Sequence, residues 1–460
     1  MMNQQSKTTE KAVTTAEKAT TVEALIEMAK KAQEQYADFS QNQVDAIVKN
    51  VSEKLTIAAE SLAELAHTET GFGNVADKTT KNLFASEGVY HQLKDEKTVG
   101  IIHKDDVNQV VEYAIPMGVV AALVPMTNPT STVIFKSLIA LKTRNAIVFS
   151  PHPHAVKAIS ETARLVNEAA VQAGAPDGLI QVIEKPSLEG TQTLMKHIDT
   201  ALILATGGGQ MVKAAYSSGN PAIGVGPGNG PALIDDSADV DAAIQKIIKS
   251  KTFDYGTICA SEQSIITLAT VKAAVKEALI ENNAYLLSKA ESDQLATILL
   301  RENGMMNPQI VGQSAYHVAQ LAGITVPQET SVLVAESDEV SQTNPYSREK
   351  LTPVLGLFTV SDWSQGIAKC NAILRNEGAG HTAALHTKRL DHAEEFGEKI
   401  VASRLLVNTP STFGGIGAST GLAPSLTLGC GAIGGSSISD NVEVKHLLNI
   451  KRLAYHVTDI

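Results

Sequence analysis

Between residues 117 and 216, short apolar runs alternate with longer amphipathic stretches, and this alternation narrows the possible folds more than any other feature of the chain. The runs at 118–124, 145–149, 179–183 and 201–205 have strand length, whereas 155–173, 188–197 and 210–216 carry helical spacing. Strands separated by helices belong to a parallel sheet with helices on its faces. Residues 201–205, Ala-Leu-Ile-Leu-Ala, contain no polar side chain, as suits a strand covered on both sides. The alternation resumes after residue 251, with strands expected at 264–268, 354–360 and 404–408 and a helix at 271–279. The fold class is therefore α/β.

The flanking segments read differently. Thr20 and Glu23 form a capping-box pattern ahead of Val22, Leu25, Ile26 and Ala29, and Ser40 with Gln43 repeats it ahead of Val44, Ile47, Val48, Val51 and Leu55. Two β-rich runs, 98–103 and 107–113, are joined by the turn-prone 104–106 and predict a protruding hairpin. The basic, amphipathic segment 440–456 is expected to pair with that hairpin in the same or a neighbouring subunit. These signals divide the chain into a mobile tail at 1–20, a nucleotide-binding domain from 21–95 and 117–250, a second α/β domain at 251–430, and oligomerisation elements at 96–116 and 435–460.

A net charge of −11 over 460 residues leaves no basic face to displace counterions, which argues against nucleic-acid and anionic-membrane partners. No apolar stretch reaches membrane-spanning length, and residues 1–20 are polar and threonine-rich without the apolar centre of a secretory signal. A cytoplasmic chain is expected. A competing reading, a non-catalytic subunit whose tail docks in a bacterial microcompartment, lacks an amphipathic pattern before Val22.

The chain has three cysteines, too scattered for a disulfide framework or a metal site, and no metal is expected. Cys370 lies in a helical pattern and Cys430 in a glycine-rich loop, both readable as structural thiols. Cys259 differs because Gly256, Ala260 and Ser261 leave room around its sulfur. A thiol is the better nucleophile near neutral pH, and its thioester can pass an acyl group onward.

Four further segments carry chemistry. Thr206-Gly207-Gly208-Gly209 joins a strand to a helix, where backbone amides and the helix terminus attract an anion, although such a turn is often only a turn. The second glycine cluster, 224–230, precedes a strand rather than a helix, so it is no dinucleotide fingerprint and reads as a wall of the site. Asn128 stands between Pro125 and Pro129, in position to donate to an oxyanion or merely to form a turn. Glu349 precedes a strand and suits a ribose, and His381, between Gly380 and Thr382, suits proton transfer.

Together the segments VPMTNPTS, RNAIVFSPHP, LATGGG, KAAYSSGNPAIGVGPGN, ICASEQS, EKLTPVL, GAGHTA, LAPSLTLGCG and SISDN resemble the aldehyde dehydrogenase superfamily, specifically its CoA-acylating branch. The similarity runs from about Val22 to Lys451 and is nearest to the aldehyde dehydrogenase half of bacterial bifunctional aldehyde/alcohol dehydrogenases and to CoA-dependent succinate-semialdehyde dehydrogenases. It implies a Rossmann-type cofactor domain, an α/β catalytic domain and a small oligomerisation hairpin. By the same resemblance Cys259 is the nucleophile, Asn128 the oxyanion donor and His381 a proton-handling residue. The nucleotide would lie against Leu123, Val124, Pro125, Met126, Thr127 and Asn128, Ser150, Gly207, Gly208, Gly226 and Leu428, with Glu349 on the nicotinamide ribose.

Two departures sharpen the expectation. Hydrolytic members carry a general-base glutamate within the segment that here reads Gly224-Val225-Gly226-Pro227-Gly228, and a lysine where this chain has Ser150. Without that base, CoA rather than water is the expected acyl acceptor. The implied reaction converts a short aldehyde, CoA and NAD to acyl-CoA and NADH, reversibly. Acetaldehyde is favoured by the 422–428 wording, while succinate semialdehyde, propionaldehyde and butyraldehyde stay open. NAD is expected over NADP because no arginine or lysine directly follows the 145–149 strand, although His152 and His154 could partly meet a 2′-phosphate. The family suggests a homodimer or homotetramer. The bifunctional relatives continue into an iron-dependent alcohol dehydrogenase, and with this sequence ending at Ile460 a separate alcohol dehydrogenase is expected to share its aldehyde.

Overall fold

The computed structural model describes residues 20–458, so the tail expected at 1–20 falls, except for Thr20, outside the described residues. The first helix, Val22–Tyr36, is capped one residue later than expected: the Thr21 hydroxyl, not that of Thr20, accepts from the Ala24 N–H at 3.3 Å. Ser40 caps the helix Gln41–Ile57 as its motif predicts, its backbone N–H donating to the Gln43 side chain at 2.9 Å. Both helices bury the faces that their spacing marks, Leu25, Ile26 and Ala29 on one and Val44, Ile47, Val48, Val51 and Leu55 on the other.

The hairpin forms from β1 (Gly100–Asp105) and β2 (Val110–Pro116). Its turn falls at 106–109 rather than 104–106, because the Asp105 carboxylate accepts from the backbone of Val107 and Asn108 at 3.0 and 2.9 Å and closes the loop after itself. Five parallel strands follow: β3 (Val119–Val124), β4 (Ala146–Pro151), β5 (Ile180–Val182), β6 (Thr200–Thr206) and β7 (Ala222–Val225). Their spatial order is β5-β4-β3-β6-β7. The chain thus winds outward from β3 in one direction and then, from β6, in the other, so the crevice at the carboxyl ends of β3 and β6 is a topological switch point. There the fully buried Lys136 ammonium donates to the carbonyls of Leu123 and Leu204, each at 2.9 Å, bridging the two strands.

A second parallel sheet holds β8 (Gly230–Ile234), β9 (Glu262–Leu268), β10 (Ala284–Leu286), β11 (Val332–Glu336), β12 (Val354–Val360), β13 (Gly380–His386) and β14 (Ala402–Val407), in the order β10-β11-β12-β9-β8-β13-β14. This corrects the boundary expected at 250/251. Strand β8 is hydrogen-bonded between β9 and β13, and the helix Val240–Thr252 buries Ile244 and Ile247 against this sheet, so the chain has already left the first unit by Gly230. The last strand, β15 (Leu448–Ala454), pairs antiparallel with β2 of its own chain. Just before it, Val442, Val444 and Leu447 join the core around the first sheet.

The two parallel sheets meet the crevice with opposite ends. The first presents the carboxyl ends of β3 and β6; the second presents the amino ends of β8, β9, β12 and β13, from which residues 228, 259, 349 and 381 approach. Among the described residues no helix is long and apolar enough to cross a membrane.

Candidate active site

Cys259 stands between the helical turn Phe253–Gly256 and β9. It lines a cavity of about 200 Å³ with Thr127, Asn128, Thr206, Gly226, Glu349 and Leu428. An adjoining cavity of about 340 Å³ is lined by Leu123, Val124, Met126 and Ser150, and Pro125, Thr127, Thr206, Gly207 and Gly208 border both. The structure therefore gathers Cys259, Asn128 and every expected nucleotide contact around two connected spaces. A larger cleft of about 800 Å³ runs along edge strand β5 and the helix Val22–Tyr36, and no cysteine or histidine lines it.

The turn after β6 is open to a ligand. A Cβ at Gly207, Gly208 or Gly209 would meet no atom within 4 Å. The neighbouring Thr206 hydroxyl is buried without a hydrogen-bond partner among the described residues, a donor left over at the cavity wall. Ser150 is otherwise engaged, sharing a 2.7 Å hydrogen bond with Thr191.

Asn128 ends the turn after β3 and precedes Pro129 at the first position of the helix Pro129–Lys142. Its amide Nδ2 donates to the Thr257 carbonyl at 3.3 Å and to the Thr127 hydroxyl at 3.2 Å, the first just beyond and the second at the upper end of the ordinary N–H···O range. Its Oδ1 accepts from the Lys81 ammonium at 2.6 Å. Lys81 also pairs with Asp254 and donates to the Thr257 hydroxyl at 3.3 Å. Lys78 reaches the same Asp254 oxygen at 3.0 Å. All three charged side chains are buried.

These residues escaped the sequence analysis. The Lys78-x-x-Lys81 spacing puts both on one helical face, but only the fold brings Asp254 to it. The carboxylate is held by the Asn74 N–H at 2.9 Å and the Thr257 hydroxyl at 2.7 Å, and the Asp254 N–H donates to Asp77 at 2.8 Å. Asp254 and Tyr255 both adopt left-handed backbone, φ 46° and 51°, a strained pair just upstream of Cys259 that this network over-determines.

His381 is the one expected site residue outside the cavity lining. It is fully buried; its Nδ1 shares a 2.9 Å hydrogen bond with Thr382, its carbonyl accepts from Arg404 at 2.8 Å, and its Nε2 has no partner among the described residues. Gly228 packs between its ring and the Cys259 peptide: a Cβ there would lie 2.0 Å from the Cys259 carbonyl oxygen and 3.4 Å from His381 Cε1. Burial, reinforced by Arg404, holds the imidazole well below its ordinary pKa, so it is neutral at pH 7.

Electrostatics keep the resting thiol protonated. Burial first and the Glu349 carboxyl second push Cys259 up to about 12. Burial likewise raises Glu349 to about 8, against the opposing hydrogen bond that it accepts from the Gly228 N–H at 2.9 Å. Among the described residues no group of three or more His, Cys, Asp or Glu side chains is arranged to hold a metal ion.

The sequence profile of the aldehyde dehydrogenase family matches residues 2–426. The chain belongs to the aldehyde dehydrogenase family. It is 48% identical over 436 residues to the bifunctional aldehyde-alcohol dehydrogenase AdhE of Escherichia coli K12, covering 94% of this chain and 49% of that protein. The chain thus spans about half the length of the bifunctional relatives that it matches. The crystal structure of an acetylating aldehyde dehydrogenase from Geobacillus thermoglucosidasius superposes with a TM-score of 0.94 at 49% identity, over 95% of this chain and 97% of that one. A propionaldehyde dehydrogenase of Rhodopseudomonas palustris, solved with bound CoA and an acylated cysteine, superposes with a TM-score of 0.85 at 28% identity over 95% and 97%. For this aldehyde dehydrogenase, the fold similarity extends over both parallel sheets, since the aligned share leaves out only a twentieth of the chain.

Proposed function

We propose that this aldehyde dehydrogenase oxidises a short aldehyde, most readily acetaldehyde, to its CoA thioester with NAD as hydride acceptor, and runs the reaction in reverse with acyl-CoA and NADH. The observation that carries the reading is the composition of the cavity around Cys259. Val225, Ile258, Ile416, Leu426 and Leu428 give it apolar walls, and it contains no lysine, arginine or histidine among the described residues. A substrate carboxylate would have no cation to meet there, which favours an uncharged aldehyde over succinate semialdehyde. The segment 225–227, where hydrolytic members carry their general-base glutamate, contributes no carboxylate to that wall, and the Glu349 carboxyl that lines it is hydrogen-bonded to the Gly228 N–H, which favours CoA over water as acyl acceptor.

In the mechanism, the Cys259 proton passes to the neutral His381 imidazole as substrate enters, and the thiolate adds to the carbonyl carbon. The Asn128 amide and the backbone N–H of Cys259 donate to the alkoxide that develops, a contribution of the oxyanion-hole type. Collapse of the alkoxide expels hydride and leaves a thioester on Cys259, which the CoA thiolate attacks to release acyl-CoA and the Cys259 thiolate, and the thiolate takes back a proton from the His381 imidazolium. A nicotinamide dinucleotide would be held by the residues that line the two cavities and would supply the hydride acceptor. Thr206, with its unpartnered hydroxyl, and the open Gly207-Gly208 turn suit its polar groups, and Glu349 is assigned to its ribose. His381, which Gly228 separates from the cavity, is assigned to proton transfer.

The relatives support the acyl-acceptor assignment by their names, since one is acetylating and another was solved with CoA and an acylated cysteine. The deciding experiment follows absorbance at 340 nm with acetaldehyde and NAD, with and without CoA. Sustained NADH formation only with CoA is expected; sustained turnover without it would mean that water reaches the thioester and would overturn the assignment. We assign self-association as a homodimer or homotetramer to the β1-β2-β15 sheet, which exposes Ile101 and Leu453. Size-exclusion of Ile101→Asp beside the unmodified protein tests this, with a shift to monomer expected.

A further inference from the structure

We propose that Lys81 is a positioning residue for the oxyanion donor, locking the Asn128 amide so that its N–H groups rather than its oxygen face the nucleophile loop. The inference rests on the reading of Asn128 as that donor. An asparagine amide is nearly symmetric in shape, and nothing in the Asn128 turn by itself decides which end points toward Cys259. An ammonium has three donors and no acceptor. Only Oδ1 can therefore face Lys81 Nζ at 2.6 Å, and the Nδ2 end must turn the other way, where it meets the Thr257 carbonyl two residues before Cys259. The chemistry of the partner fixes the orientation.

The lysine is itself fully committed. Its three donors go to Asn128 Oδ1, the Asp254 carboxylate and the Thr257 hydroxyl, and Thr257 in turn donates to Asp254 at 2.7 Å. Lys81 thus ties the oxyanion turn, the helix Val75–Leu83 and the nucleophile loop at one nitrogen. Lys78 supplies a second positive charge to Asp254 and touches the Thr127 carbonyl at 3.4 Å, but makes no hydrogen bond to the Asn128 side chain. A cation on Oδ1 also draws electron density from the amide and makes its N–H groups better donors to a developing oxyanion. The long Nδ2 contacts at rest are ones that an arriving oxyanion can replace.

The test uses the intact enzyme with acetaldehyde, NAD and CoA. Asn128→Ala should lower kcat by about 10²–10³-fold, the usual loss of one oxyanion donor. Lys81→Met should lower kcat by roughly 10–100-fold with KM for NAD unchanged, as loss of a supporting contact does. Introduced into Asn128→Ala it should cost almost nothing more, because the group that it positions is already gone. Lys78→Met, which removes the same charge from Asp254 but no contact with the amide, should lose much less than Lys81→Met, and Lys81→Arg should recover part of the kcat. The rate at which iodoacetamide alkylates Cys259 should be the same in Lys81→Met as in the unmodified enzyme. Additive losses, equal losses from the two lysines, or alkylation slowed as much as kcat would each overturn the proposal, since the lysine would then be supporting the loop or the thiol. Full kcat in Asn128→Ala would remove the oxyanion reading and this proposal with it, whereas a loss in Asn128→Ala alone would leave that reading and sink Lys81. Should Lys81→Met not fold, the charge-balanced Lys81→Met/Asp254→Asn pair carries the same expectations.

Discussion

Glu349 lines the same cavity as Cys259, and its carboxylate charge opposes ionisation of the thiol. With the thiol near 12 and the carboxyl near 8, the resting site at pH 7 holds both largely protonated. Above pH 8 the ionised Glu349 carboxylate suppresses thiolate formation. Removing that charge lowers the thiol pKa, so Glu349→Gln should speed iodoacetamide alkylation of Cys259 at pH 9 and have little effect at pH 6.5; slower alkylation at pH 9 would contradict the sign. Cys259→Ala should abolish NADH formation from acetaldehyde, NAD and CoA and, in reverse, NADH consumption with acetyl-CoA. The place of Cys259 at the cavity wall was legible in the sequence because its small neighbours leave space that core packing would not. Lys78, Lys81 and Asp254 were not, because charged residues are ordinarily read as solvated, and only the closing of the helix Val75–Leu83 onto the nucleophile loop makes their burial tolerable.

At the scale of elements, the site is where two parallel sheets offer opposite ends to one crevice, and the 224–230 segment is the strap between them. Gly228 shows how tight that strap is, with no room for a methyl group against the Cys259 carbonyl. Gly228→Ala should displace the nucleophile loop and lower kcat by about 10²-fold or more, since a misplacement near 1 Å costs that much. Circular dichroism should show the fold retained, and kcat within a factor of two would refute the close approach. The longer apolar strands were readable from their runs, whereas β7, β10, β11 and β13 were not, and neither was the helix Pro129–Lys142. All fourteen of its residues are buried, so it lacks the amphipathic period by which helices are recognised. Strand β8 was seen as a strand but placed in the wrong unit, because the pattern of a buried parallel strand does not say which sheet receives it.

Across the whole molecule, buried ionisable groups link folding to pH. Burial raises Glu262 to about 7; its Oε1 accepts from the Ser411 N–H at 2.8 Å, while Oε2 has no partner among the described residues. A carboxyl whose pKa is higher folded than unfolded contributes stability that is present at low pH and lost as pH rises toward the folded value. Relative to Glu262→Gln, the unmodified protein should therefore lose stability between pH 4.5 and 7, by on the order of 3 kcal/mol. Melting temperatures of the two proteins across that range would check it, and a parallel pair of curves would exclude it. Lys136 and Lys251, both brought down to about 7 by burial, act in the opposite sense above pH 7, where the folded state no longer holds protons that the unfolded chain still binds. By itself, the sequence determined the α/β class, the family and those helices and strands whose pattern is marked, and it singled out Cys259 as the candidate nucleophile, because periodicity, turn chemistry and the surroundings of one thiol are local properties of the chain. Which sheet each strand joins, how the Asn128 amide is turned, why His381 stands behind Gly228 and which charges are buried were decided only by the tertiary structure, because each depends on contacts between residues far apart in the sequence.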